Sequence, residues 1–158
     1  MNKAELSAEK QIVKEMEANK ASLSASDRQE LLRLKCRTDF LTFARFITSE
    51  IPVAGKFQPF RVHEVIGNFL QKIGDGEKDY KQTAISLPPR TGKSLLISKV
   101  FPAWQMGRSP TAQFIMSSYA LQLTNENSRA VIEYISHESF SDRKSTRLNS
   151  SHITISYA

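Results

Sequence analysis

Thr83-Ala84-Ile85-Ser86-Leu87 is a short, mostly apolar run, and Pro88-Pro89-Arg90-Thr91-Gly92-Lys93-Ser94 follows it directly. Beyond Ser94 the apolar residues Leu95, Leu96, Val100 and Trp104 fall at helical spacing. A run that turns sharply into Gly-Lys-Ser at a helix start predicts a strand, a tight turn and a helix. In that layout backbone N–H groups and the helix N-terminus cradle a polyphosphate. Gly92 lets the backbone approach the phosphates without a side chain in the way. Lys93 is placed to reach the β- and γ-phosphates as a point charge, and the Ser94 hydroxyl to ligate Mg²⁺. The usual pattern, Gly-x-x-x-x-Gly-Lys-Ser/Thr, is not met in full. Leu87 stands where its first glycine would, and Pro88 and Pro89 carry no N–H. The donors of such a loop come mostly from its C-terminal half, here Thr91, Gly92, Lys93 and Ser94. The prolines stiffen its start and leave the cradle intact.

At 158 residues the chain has room for one domain with a sizeable core. No run reaches the roughly 18 apolar residues of a membrane span, and the charged start Met1–Lys20 is no signal peptide. Cys36 is the only cysteine, which excludes a disulfide framework and fits a reducing cytoplasm. His63, His137 and His152 are scattered and form no metal cluster. The formal charge of +6 hints at an anionic partner. The C-terminus weakens that hint. Asp142-Arg143-Lys144-Ser145-Thr146-Arg147-Leu148-Asn149-Ser150-Ser151-His152 reads, codon for codon, as the translation of a common sequencing-library adapter. Ile153-Thr154 then corresponds to its index, and Ile155-Ser156-Tyr157-Ala158 to the adapter beyond. Residues 142–158 are accordingly expected to be a non-native tail that packs against nothing. Without them the formal charge falls from +6 to +4, a weak argument for DNA binding.

Along the chain, 1–37 reads as a polar helical arm, with Ser24-Ala25-Ser26-Asp27 breaking it and capping a helix over Arg28–Lys35. Phe40, Leu41, Phe43, Phe46 and Ile47 cluster in a helix that anchors the arm on the core. Residues 63–73 show the clearest helical stripe, through Val62, Val65, Ile66, Phe69, Leu70 and Ile73, and Gly74-Asp75-Gly76 ends it. Upstream of the phosphate loop, Phe57-Gln58-Pro59-Phe60 and His63 occupy the place from which motor ATPases recognise adenine. Gln58 and His63 are candidate contacts to the base. After the loop Pro102 should bend or end the helix. Gly107-Arg108-Ser109-Pro110 reads as a turn, Ala112–Ser117 as a second buried strand, and Ala120–Ser136 as a helix. The expected fold class is α/β, a partial P-loop NTPase core over 38–141 with a parallel sheet flanked by helices, preceded by the helical arm.

Over 38–141 the chain resembles the large subunit of tailed-phage terminases. The resemblance rests on Phe57-Gln58-Pro59-Phe60 with His63, on Leu87-Pro88-Pro89-Arg90-Thr91-Gly92-Lys93-Ser94, and on Phe101-Pro102-Ala103-Trp104 with Gly107-Arg108-Ser109-Pro110. Ser117-Ser118-Tyr119-Ala120 followed by Asn127-Ser128-Arg129 adds to it. It implies an ATP-driven motor that packages viral double-stranded DNA, working as a homo-oligomer with a terminase small subunit and a portal protein inside a bacterial host cell. Lys93 and Ser94 become the phosphate and Mg²⁺ groups. Arg90 becomes a basic loop residue that senses the γ-phosphate or stabilises transition-state charge. Two family features are absent: the later acidic pair that completes the Mg²⁺ site and orients water, and the carboxylates of the nuclease domain. A chain that runs into adapter sequence at Asp142 is then expected to be a fragment without hydrolytic activity. Two other classes compete. A helicase-like ATPase would share the loop and differ in later motifs, whereas a nucleotide kinase would show a lid and an arginine cluster, which the sequence lacks. A non-enzymatic nucleic-acid-binding module would show a clustered basic stripe, but Lys and Arg are spread evenly.

Overall fold

The computed structural model describes residues 3–51, 57–76, 82–109, 111–137 and 153–155. It divides into two compact units, Met1–Asp75 and Gly76–Ala158.

The first unit is built from four helices: α1 (Lys3–Ala18), α2 (Ala25–Thr38), α3 (Phe40–Glu50) and α4 (Arg61–Gly74). Local chemistry sets their ends. Ser24 Oγ accepts the Asp27 N–H at 3.2 Å while the Asp27 carboxylate accepts the Ser24 N–H at 3.2 Å, so two amides without intrahelical partners are satisfied reciprocally. Asp39 does the same service for α3, accepting the Thr42 N–H at 2.6 Å. α1 and α2 pair through Glu17–Lys35 at 2.5 Å and Glu9–Arg37 at 3.1 Å. The expected anchor is present: Phe40, Phe43, Ala44 and Ile47 of α3 are completely buried, and α3 packs on both α2 and α4. Gln71 of α4 locks this joint. Its Oε1 accepts the Phe40 N–H at 2.7 Å and its Nε2 donates to the Thr38 carbonyl at 3.1 Å. The stripe on α4 is buried only in part. Ile66 and Leu70 face the core, but Val62 and Val65 are exposed and His63 is buried in their place.

In the second unit a helical stretch over 93–108 begins as α-helix, widens into a π-helix at Leu95–Val100, and continues as α5 (Phe101–Arg108). Beyond it lie β1 (Phe114–Met116), α6 (Leu121–Ser136) and β2 (Ile153–Ile155). The core is helix against helix. Leu96, Val100, Ala103 and Trp104 are fully buried, as are Val131 and Tyr134 of α6, which packs on both α5 and the π segment.

This corrects the expected fold class. The described residues are mostly helical and do not form a P-loop NTPase core with a parallel sheet flanked by helices. Thr83–Leu87 is not a strand: it carries no ladder, although Ile85 and Leu87 are half-buried and Ala84 and Ser86 exposed. β1 is three residues long, and Ile115 at its centre is 77% exposed rather than buried. The physical reason is that a strand exists only with a partner, whereas a helix satisfies its own backbone. Leu96, Val100 and Trp104 found their burial on α6 and needed no sheet to cover them. Pro102, expected to bend or end its helix, sits at the start of α5, and the helix runs on through Arg108. At 153–155 the tail departs from the packing expected of it. Ile153–Ile155 pairs in parallel with β1, Phe114 opposite Ile153 and Met116 opposite Ile155, so it does not pack against nothing.

Candidate functional site

The loop over 88–94 is shaped by two left-handed residues. Arg90 has φ 62° and Gly92 has φ 78°. Glycine adopts that conformation without strain, whereas an arginine there carries a cost of about 1–2 kcal/mol that the surrounding bonds must offset. Those bonds close the loop on itself. Thr91 Oγ1 donates to the Pro88 carbonyl at 2.8 Å, and Lys93 Nζ donates to the Leu87 carbonyl at 3.0 Å. Pro88 and Pro89 lend stiffness and leave their carbonyls as acceptors. Leu96 N–H donates to Gly92 O at 3.2 Å. The amides of Lys93, Ser94 and Leu95 therefore belong to the first helical turn, whose N–H groups have no partner within a helix. Left-handed residues interleaved in a turn make backbone N–H groups converge into an anion-binding concavity. Thr91, Gly92 and Lys93 are half-buried, while Arg90 and Ser94 are exposed. One ammonium, one guanidinium and two hydroxyls, of which that of Thr91 is bonded to the Pro88 carbonyl, thus lie within five residues of a helix start, a donor set suited to phosphate oxygens and a cation bound to them.

The candidate base contacts belong to the first unit. Gln58 is exposed. His63 is 4% exposed, and its Nδ1 accepts the Phe60 N–H at 2.9 Å, which is the capping interaction at the start of α4. Its ring lies edge-on to Phe57, centroids 5.1 Å apart, and tilted to Phe60 at 5.7 Å. His63 is committed to this cap through one nitrogen, while the Phe60 ring is 71% exposed.

Arg108, expected in the turn Gly107-Arg108-Ser109-Pro110, is instead the last residue of α5. It is 6% exposed, and its guanidinium stacks over the Trp104 ring at 4.1 Å. The spacing of four between Trp104 and Arg108 on one helix face was the signal that could have found it. α6 also turns an unexpectedly polar face inward: Thr124, Asn127 and Ser128 are buried beside Val131 and Tyr134. Burial, and secondarily the Glu133 carboxylate, raise the Tyr134 phenol above its ordinary range. Among the described residues no group of three or more His, Cys, Asp or Glu side chains is placed to hold a metal ion, and no helix is long and apolar enough to cross a membrane. Comparison with protein-family models, curated proteins and solved structures gives no match to this chain.

Proposed function

We propose that this chain binds ATP with Mg²⁺ through Thr91, Gly92, Lys93 and Ser94, as the nucleotide-binding part of a terminase-like DNA-packaging ATPase. The observation that carries the reading is the left-handed pair Arg90 and Gly92 set against a helix that begins with Lys93. That arrangement turns amides outward beside a cation and an exposed hydroxyl, which is what a triphosphate requires. The first-turn amides hold phosphate oxygens, and Lys93 exchanges its bond to the Leu87 carbonyl for the β- and γ-phosphates. Ser94 supplies one oxygen to Mg²⁺, a hard cation that takes oxygen ligands and keeps several waters. The exposed Arg90 meets the charge that develops on the transferred phosphoryl group. The DNA, small-subunit and portal partners rest on the resemblance alone, as does assembly into a homo-oligomer within a bacterial cell. Titration with a fluorescent ATP analogue, with and without Mg²⁺, tests the site. The reading expects saturable binding that Lys93→Ala weakens by about tenfold or more, the loss of one charge-assisted contact. Equal affinity of the two proteins would end the assignment.

A further inference from the structure

Three residues after Gly92 the helix becomes wound differently from the rest. Leu95–Val100 is a π-helix, and the Phe101 N–H closes it by donating to the Leu96 carbonyl five residues back. The next residue is Pro102, buried at the start of α5. Proline brings no N–H, so the Ser98 carbonyl, four residues before it, gets no α-helical donor there, and the pyrrolidine ring crowds that same carbonyl. A wider turn relieves the crowding without ending the helix. The sequence therefore supplies a cause for the π segment within the segment's own reach.

The consequence falls on the loop. A π turn takes more residues than the 3.6 of an α turn, so six residues wound this way sweep roughly 100° less around the axis. The residues on the far side are fixed: Ala103 and Trp104 are fully buried, and Arg108 is held over Trp104. Whatever angle the π segment removes is therefore taken up at the other end, by Gly92, Lys93 and Ser94. In a uniform α-helix from Lys93 to Arg108 the same buried face would aim the Lys93 and Ser94 amides about one residue's width away from their present direction.

We infer that Pro102 is a positioning residue for the phosphate loop: it imposes the π register that sets the rotational phase of Lys93 and Ser94 against the buried face of α5. This rests on the phosphate-binding reading and assigns to that site a determinant eight residues beyond it.

The test uses the full chain with Pro102→Ala and Pro102→Ser, both of which regain the N–H. Three quantities are read: melting temperature, the NMR amide signals of Gly92 to Phe101 without ligand, and affinity for a fluorescent ATP analogue with Mg²⁺. Expected in both variants are an unchanged or higher melting temperature, displaced amide signals of Lys93 and Ser94, and binding weaker by about tenfold or more, as misplacement of a site by an ångström can produce. A merely structural proline would not combine equal stability with a shifted ligand-free loop. Unchanged Lys93 and Ser94 signals, or displaced signals with wild-type affinity, overturn the inference. So does an effect in only one of the two variants, which would assign it to packing of the side chain. If the wild-type chain itself fails to bind the analogue, the phosphate-binding reading falls and takes the positioning role with it. The ligand-free amides then report separately whether Pro102 is what winds the segment.

Discussion

Arg90 holds the most constrained backbone in the loop, since among the described residues it alone combines a side chain with a left-handed φ. Replacing it with glycine removes the strain and also the restraint that a Cβ places on the unfolded chain. The two effects nearly cancel, leaving stability within about 1 kcal/mol. Valine at the same position adds a β-branch where φ is positive, and Arg90→Val is expected to cost about 1–2 kcal/mol more than Arg90→Gly in urea unfolding. Equal midpoints would mean that the loop is not left-handed there. Cys36 makes a second test. Burial first, and the Asp39 carboxylate next, push its thiol up to about 12. A free thiol ionises near pH 8.5, so between about pH 9 and 12 the unfolded chain releases this proton and the folded chain keeps it. The Cys36 contribution to stability is thus present below that window and lost as pH rises through it. Alkylation of the native protein at pH 8.5 should be far slower than in denaturant, and comparable rates would refute the buried thiol.

The crossing of α3 and α4 depends on one glycine. A Cβ at Gly67 would run into the Leu41 side chain, which must then leave its present rotamer. Gly67→Ala is expected to destabilise the first unit by about 1–3 kcal/mol, the usual result of overpacking a close helix contact. Truncating the obstacle should restore part of that loss, so Gly67→Ala with Leu41→Ala should lie above the sum of the two single effects. Strict additivity in chemical unfolding would show that the two residues do not meet. At the start of α2, Ser24→Ala removes the acceptor for the Asp27 amide and should cost about 1 kcal/mol, read by loss of helical circular dichroism on heating. Helices of this kind were legible in the sequence because their signals are local. Ser24 with Asp27 marks a start, Gly74-Asp75-Gly76 a stop, and the apolar spacing of 121–136 a buried face. The strand expected at Thr83–Leu87 is not formed, because a strand, unlike a helix, needs a partner elsewhere in the chain.

For the chain taken entire, the tail is the sharpest test. Deleting 142–158 removes the partner of β1, so amide exchange at Phe114, Ile115 and Met116 should rise while α6 stays protected. Unchanged exchange would return the tail to the status that its adapter-like sequence suggests. ATP turnover should stay near background in the same preparations, because phosphoryl transfer relies on positioned carboxylates and metal contacts, and among the described residues no group of three or more His, Cys, Asp or Glu is placed to hold a metal ion. Turnover that Lys93→Ala abolishes would reverse that expectation. What the residue order determined is what neighbours in sequence can enforce: the caps, the helices, the glycine and lysine of the loop, and the aromatic anchor of α3. What tertiary structure decided is which surfaces meet. It gave the apolar face after Ser94 to α6 and not to a sheet, and turned Val65 outward and Arg108 inward. Apolar periodicity says that a face will be buried, but only packing among all the faces present says against what.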